Sequence, residues 1–290
     1  MFHQKNSLLR RYEGSLLTLA VADALGMATE RLMERSSDQI TDFQAGFLPA
    51  GCYTDDTEQA RILAESLIRD SGLDLEKYAL HIKQETRFKK GFGPSLRKFF
   101  FGNTDGHFVP SNGVGMKIAP LALFYRRQPN LLNDVVEAAA QITHRHPASV
   151  AGAIAIAHAV HYALTHNYMT FDRDECLERV VSQTGIYDEP LARKLATHDL
   201  RDNGGCSVYS TIPLAIHTFL DAPTELERGI IFLANSGGDT DTKAAMFGAV
   251  SGAFNGIDAI PRRWYAGLEN GPKGRDYLLE LAGKLYAKSN

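Results

Sequence analysis

Cysteine is scarce in this 290-residue sequence: Cys52, Cys176 and Cys206 are odd in number, widely spaced and form no CxxC pair. Neither a disulfide framework nor a thiolate zinc site is expected, and buried or incidental thiols are the default. An excess of positive charge is also missing. Lys and Arg number 31 against 34 Asp and Glu, a formal net charge of -3, which leaves no polybasic footprint for nucleic acid or an anionic membrane. There is no HExxH pair to suggest a helical zinc site. The N-terminus sets basic residues before an apolar run, but Glu13 and Asp23 interrupt it. No span approaches the roughly 20 apolar residues of a membrane helix, so a cytoplasmic chain with no membrane partner is expected.

Strand signals are scarce as well. Apolar residues instead recur three and four apart in Leu8–Leu25, Ala60–Ile68, Leu131–Ile142, Val150–Leu164, Ile212–Leu220 and Leu226–Leu233. Turn sequences such as "NTDG" at 103–106, "PSNG" at 110–113 and "DNGG" at 202–205 separate some of them, and Pro147 and Pro261 suit first-turn positions. No low-complexity linker or fixed repeat period divides the chain. The expectation is one all-α domain over residues 1–290, of about a dozen helices, present as a monomer.

Two stretches place oxygen-bearing side chains just ahead of helical patterns. In "SGGDTDTKAAMFGAVSGAFNG" (236–256), Asp239 and Asp241 precede a run of small and apolar residues. Residues two apart on a helix point about 200° away from each other, so the pair converges only at a helix entrance, after the flexible Gly237–Gly238. A plain N-cap needs only one such side chain. "YTDDTEQA" (53–60) repeats the arrangement with Thr54, Asp55, Asp56 and Thr57. Within "ADALGMATE" (22–30), Asp23 lies in the first apolar helix, where it reads as a buried cap partner, and Glu30 follows the helix end at Gly26. Carboxylates and hydroxyls are ligands for hard divalent cations such as Mg²⁺ or Mn²⁺. Two such groups brought together would suit two ions about 4 Å apart.

These segments, with "SNGVGMKIAP" (111–120) and "THRHPASVAGAIA" (143–155), resemble the ADP-ribosylglycohydrolase family in order and spacing over nearly the whole chain. The resemblance implies an orthogonal all-α domain with a dinuclear Mg²⁺ or Mn²⁺ centre. It assigns Thr54, Asp55, Asp56, Asp239, Asp241 and Thr242 as ligands, with Asp241 bridging, and Glu30 as a mobile glutamate. Glu30, Asp55, Asp56 and Asp239 would carry catalysis; Asn112, Gly113, Gly115 and His144 would contact substrate. That substrate would be ADP-ribose joined to a protein side chain such as arginine or serine, or to a small molecule. The alternative is an inactive regulator that binds ADP-ribose or a nucleotide. Three positions depart from the common pattern: Ala22 and Ser111 stand where glycine or, for the latter, aspartate is usual, and Lys117 replaces arginine. Loss of the planar guanidinium fork bears on substrate preference more than on metal binding. Away from these motifs, His158 and His161 read as core histidines, and Phe99–Phe101 and Phe108 as core residues before adenine-stacking ones.

Overall fold

The computed structural model describes residues 7–30, 39–101, 108–201 and 205–289. Among these, the chain forms α1 (Ser7–Gly26), α2 (Asp55–Asp70), α3 (Leu75–Glu85), α4 (Pro94–Phe100), α5 (Ala119–Phe124), α6 (Leu132–Gln141) and α7 (Pro147–Thr165). It continues through α8 (Arg173–Gly185), α9 (Glu189–Ala196), α10 (Val208–Asp221), α11 (Leu226–Ala234), α12 (Thr240–Asn255), α13 (Arg262–Gly267) and α14 (Arg275–Lys288). Short 3-10 turns link several of them, and an isolated antiparallel bridge joins Ser111 and Ser207. The fold is all-α. The "NTDG" turn and residues 202–204 of "DNGG" lie outside the described residues.

Small residues let α1 and α12 approach until their backbones touch. A Cβ on Gly252 would lie 2.2 Å from the Gly14 carbonyl oxygen, and one on Gly14 would lie 2.3 Å from that of Gly252. Farther along, a Cβ on Gly248 would meet the Thr18 carbonyl oxygen at 2.6 Å. The last turn of α1 is then clasped to the entrance of α12. Gly26 has no room for a Cβ beside Thr240 and Asp241, and the Thr240 hydroxyl donates to the Gly26 carbonyl at 2.9 Å. Both helices are buried over most of their length, so the acidic start of α12 rests on a fixed frame.

Apolar on every side, α7 runs through the core. At 19 residues it does reach the length and hydropathy of a membrane span, contrary to the sequence expectation, but almost all of it is covered by the rest of the protein. Pro147 occupies its first turn, whereas Pro261 is the cap residue just ahead of α13. His158 and His161 are core residues that bond Asn133 Oδ1 at 2.7 Å and the Arg126 carbonyl at 3.1 Å. Burial pushes them down to about 3 and about 4, so both are neutral.

The six periodic segments fall on α1, α2, α6, α7, α10 and α11, with the start of Leu131–Ile142 taken by a 3-10 turn at Pro129–Leu131. Helices that bury only a narrow stripe gave weaker patterns: α8 buries Cys176, Val180 and Thr184, and α14 buries Leu278, Leu281, Ala282 and Leu285.

Candidate metal centre

The entrance of α2 is held by a carboxylate from another helix. Asp23 of α1 is fully buried and accepts the Thr54 amide at 3.0 Å, the Thr57 amide at 3.0 Å and the Thr57 hydroxyl at 2.5 Å. It is the cap partner that its sequence position suggested. Thr54 is the formal N-cap, with its hydroxyl 3.4 Å from both the Asp56 amide and Asp56 Oδ2. Burial raises the Asp23 carboxyl to about 6, against the opposing pull of these hydrogen bonds. With Asp23 capping the helix, Asp55 and Asp56 in the first turn are left for other partners.

At the α12 entrance, Gly237 and Gly238 have φ of 80° and 67°, a consecutive left-handed pair that only glycine adopts readily. Lys243, buried one turn into the helix, donates to the Gly237 carbonyl at 2.5 Å and fixes this bend. Asp239 follows as the N-cap residue but makes no side-chain capping bond. Its Oδ2 instead accepts from Asn112 Nδ2 at 2.7 Å. Asp241 lies in the first turn, and oxygen atoms of Glu30, Asp239 and Asp241 come within 4.8 Å of one another.

The two entrances and Glu30 form one wall of a cavity of about 660 Å³. Burial first, then the charges of Asp23, Glu30 and Asp239, push Asp55 up to about 7. Burial and the charges of Asp23, Asp55 and Asp239 hold Asp56 well above the ordinary carboxylate range, although a hydrogen bond from Thr242 opposes the shift. Asp241 is raised in the same way by burial and by Asp56, Asp239 and Glu30. Asp56 Oδ1 is buried without a hydrogen-bond partner. Crowded, desolvated oxygens of one sign with an orphaned acceptor among them are the donor set of a hard divalent cation.

Other lining residues are neutral or cationic. Lys117 Nζ donates to Thr143 Oγ1 at 3.1 Å, and Thr143 Oγ1 lies 2.9 Å from His144 Nδ1. The Thr143 hydroxyl thus bridges the Lys117 ammonium and the His144 ring and fixes how that ring sits. Burial lowers the Lys117 amine to about 8, with Asp55 pulling the other way. A Cβ on Gly113 would lie 2.9 Å from His144 Nε2, so glycine makes room for the ring. Apolar lining comes from Phe47, Phe92, Leu96, Val109 and Met116.

Of the residues singled out from sequence, Glu30, Asp55, Asp56, Asp239, Asp241, Thr242, Asn112, Gly113 and His144 line the cavity. Thr54 lies behind the wall, fully buried. Gly115 faces the core, where a Cβ would lie 2.8 Å from Met246 Sδ and 3.0 Å from Ile212 Cδ1. Phe99 and Phe100 pack against the core, while Phe101 and Phe108 are exposed, and none of the four lines the cavity. The lining aromatics are Phe47 and Phe92; the latter belongs to a "GFGPS" stretch whose glycines and proline mark a loop before α4. Cys206, an exposed residue, lines the cavity beside Asp239, with its thiol raised by desolvation and by that charge.

The family model for ADP-ribosylglycohydrolase matches residues 4–290. An uncharacterized protein of Archaeoglobus fulgidus is 34% identical, over 95% of this chain and 96% of its own. The ADP-ribosyl-[dinitrogen reductase] glycohydrolase of Rhodospirillum rubrum is 28% identical, over 93% and 96%, and human ADP-ribosylhydrolase ARH3 is 28% identical, over 82% and 80%. A solved structure, an ADP-ribosylglycohydrolase-related protein complex, superposes with a TM-score of 0.85 at 27% identity, covering 99% of this chain and all of its own. With the family's fold and an acidic cleft between the entrances of α2 and α12, this chain is an enzyme of the ADP-ribosylglycohydrolase family.

Proposed function

We propose that the chain, as one domain and one copy, removes ADP-ribose from a protein side chain such as arginine or serine, or from a small-molecule acceptor, with two Mg²⁺ or Mn²⁺ ions in the acidic cleft. The observation that carries this reading is the set of carboxylates from Glu30, Asp55, Asp56, Asp239 and Asp241 on one cavity wall, with Asp56 Oδ1 unpartnered. Those five, with Thr242 and Thr54, are the residues that would hold the ions. When bound, the ions would neutralise the cluster and, as Lewis acids, orient ribose hydroxyls and water.

Binding and orientation fall to the other lining residues. The His144 ring borders the ligand space, the Gly113 backbone can approach a diphosphate closely, and Phe47 and Phe92 offer ring faces to adenine. In the reaction, water oxygen bonds to the anomeric carbon as the bond from that carbon to the acceptor breaks. Glu30 takes the proton from water and passes it to the departing acceptor atom, so the acceptor leaves protonated and Glu30 returns to its carboxylate form. Positive charge building on the ribose ring is stabilised by the surrounding carboxylates. Asn112 keeps Asp239 in register through its 2.7 Å bond.

The test is product analysis on arginine- and serine-linked ADP-ribosyl peptides with Mg²⁺, Mn²⁺ or EDTA. Free ADP-ribose formed only with a divalent cation, and lost in Asp239→Asn, is the expected result. Release of AMP, or full turnover in EDTA, contradicts the proposal.

A further inference from the structure

Away from the cleft, His198, His217 and Asp221 bring ligand atoms within 4.8 Å of one another. His217 and Asp221 lie four residues apart on the last turns of α10, hence on one face of the helix. His198 comes from the end of α9. There the chain closes with the His198 amide on the Leu195 carbonyl at 3.3 Å and the Asp199 amide on the Lys194 carbonyl at 3.0 Å. Glycine ordinarily takes the left-handed position of such a cap, yet His198 holds it, at φ 52°.

The same Leu195 carbonyl accepts from His217 Nε2 at 2.8 Å, which fixes that ring's proton on Nε2. His217 Nδ1 therefore carries a lone pair; it is buried and has no hydrogen-bond partner, and the residue is fully withdrawn from solvent. A ring nitrogen–backbone carbonyl bond of this kind is how metal-ligating histidines are commonly oriented. The His198 and His217 rings meet edge to face with centroids 4.2 Å apart. His198 Nε2 lies 3.1 Å from Asp221 Oδ2, while Arg173 donates to the other carboxylate oxygen at 3.2 Å and steadies it. Two ligands on a tetrahedral zinc, with bonds of about 2.0–2.1 Å, sit about 3.3 Å apart.

We propose that His198, His217 and Asp221 form a second metal site, for Zn²⁺ or a similar borderline cation, with the fourth position open to water. Two imidazoles and one carboxylate suit Zn²⁺, whereas the all-oxygen cleft suits Mg²⁺ or Mn²⁺, so the two sites select different ions. A bound ion would pin the end of α9 to the last turns of α10.

The experiment is a zinc titration of the whole protein against a chromophoric chelator, with Mg²⁺ in excess to fill the cleft. The wild type is expected to take up one Zn²⁺ per chain and gain thermal stability. His198→Asn, which tolerates the left-handed backbone, and Asp221→Asn should each weaken zinc binding at least about tenfold and abolish the thermal gain, while Asp241→Asn changes neither. The proposal is overturned if no zinc binds beyond the cleft. It is equally overturned if both variants bind zinc as the wild type does, or if uptake is lost in Asp241→Asn instead.

Discussion

Asp55 and Asp56, in the first turn of α2, and Glu58 and Glu65, in the turns that follow, are all wholly or largely withdrawn from water, yet the fold treats them in opposite ways. Arg87 Nη2 bonds Glu58 Oε2 at 2.6 Å, and Arg61 bonds Glu65 at 2.7 Å and lies 3.2 Å from Glu58. Lys273 completes the set at 2.8 Å from Glu65. Burial alone would raise Glu58, but the bond from Arg87 and the charge of Arg61 outweigh it and hold the carboxyl below its ordinary value. Glu65 is lowered likewise, burial being outweighed by Arg61, Lys273 and a bond from Tyr277. Among the described residues Asp55 and Asp56 form no ion pair, the charge of Lys117 does not offset their burial, and both are raised. At Glu58 and Glu65 the protein supplies the counter-charge itself; at the start of the same helix it forms no such pair, and in the proposed function a divalent cation would supply the charge.

The sharpest way to break this comparison is to neutralise one member of each set. Asp241→Asn should cut turnover at least about 10²-fold through loss of an ion ligand, while leaving the metal-free protein as stable or more so, because a repelling charge is gone. Glu58→Gln should do the reverse. It strands Arg87 and leaves Arg61 with Glu65 alone as a close partner, at a cost of about 3 kcal/mol in chemical denaturation, whether or not metal is present. If Asp241→Asn destabilises the metal-free protein as much as Glu58→Gln does, the two sets are alike and the comparison fails.

Acidity separates the sets more gently. Asp55, Asp56 and Asp241 have folded values raised above their unfolded ones, so the stability tied to their protonation is full below about pH 4 and is lost as pH rises through about 7 and beyond. Glu58 and Glu65 are lowered and fully ionised there, so they contribute no slope. The window begins near pH 6.5, because below it His158 and His161, held neutral, cost stability as unfolded histidine takes up protons. Between about pH 6.5 and 8 the Tm of metal-free protein should fall with pH, and the rise in Tm on adding Mn²⁺ should grow. A flat metal-free profile would count against the raised values.

The smallest effect is expected elsewhere in the cavity, where no ion is needed. Thr143→Val removes the hydroxyl that bridges Lys117 and the His144 ring, and should weaken ADP-ribose by about 1 kcal/mol, close to fivefold in Kd, with metal affinity unchanged. Calorimetry of both ligands checks it.

Much of the cleft was legible because its chemistry is local. Two aspartates two apart after a Gly–Gly pair, or a Thr–Asp–Asp run before an apolar period, say helix entrance from covalent geometry, while the expected ligand role came from the two clusters together and from the family resemblance. Asp23 was legible for a related reason, since a carboxylate inside an apolar helix must find donors, and it found the Thr54 and Thr57 amides. Legibility stopped where a role depends on distant packing. Gly115 reads as a loop glycine, and only the arrival of Met246 and Ile212 against it gives it a core role. Phe92 and Cys206 join the cavity because separate loops meet there, whereas Phe99–Phe101 carry a stronger aromatic signal and lie elsewhere. The pairing of Arg87 with Glu58, 29 residues apart, leaves no periodic trace.

The most direct test is equilibrium dialysis of metal-free protein against Mn²⁺ near neutral pH, for the wild type and for Asp241→Asn. Two Mn²⁺ per wild-type chain, with binding lost in the variant, is the predicted result. Fewer than one Mn²⁺ per wild-type chain, or equal uptake by the variant, would contradict the claim that the cation absent from the start of α2 is drawn from solution.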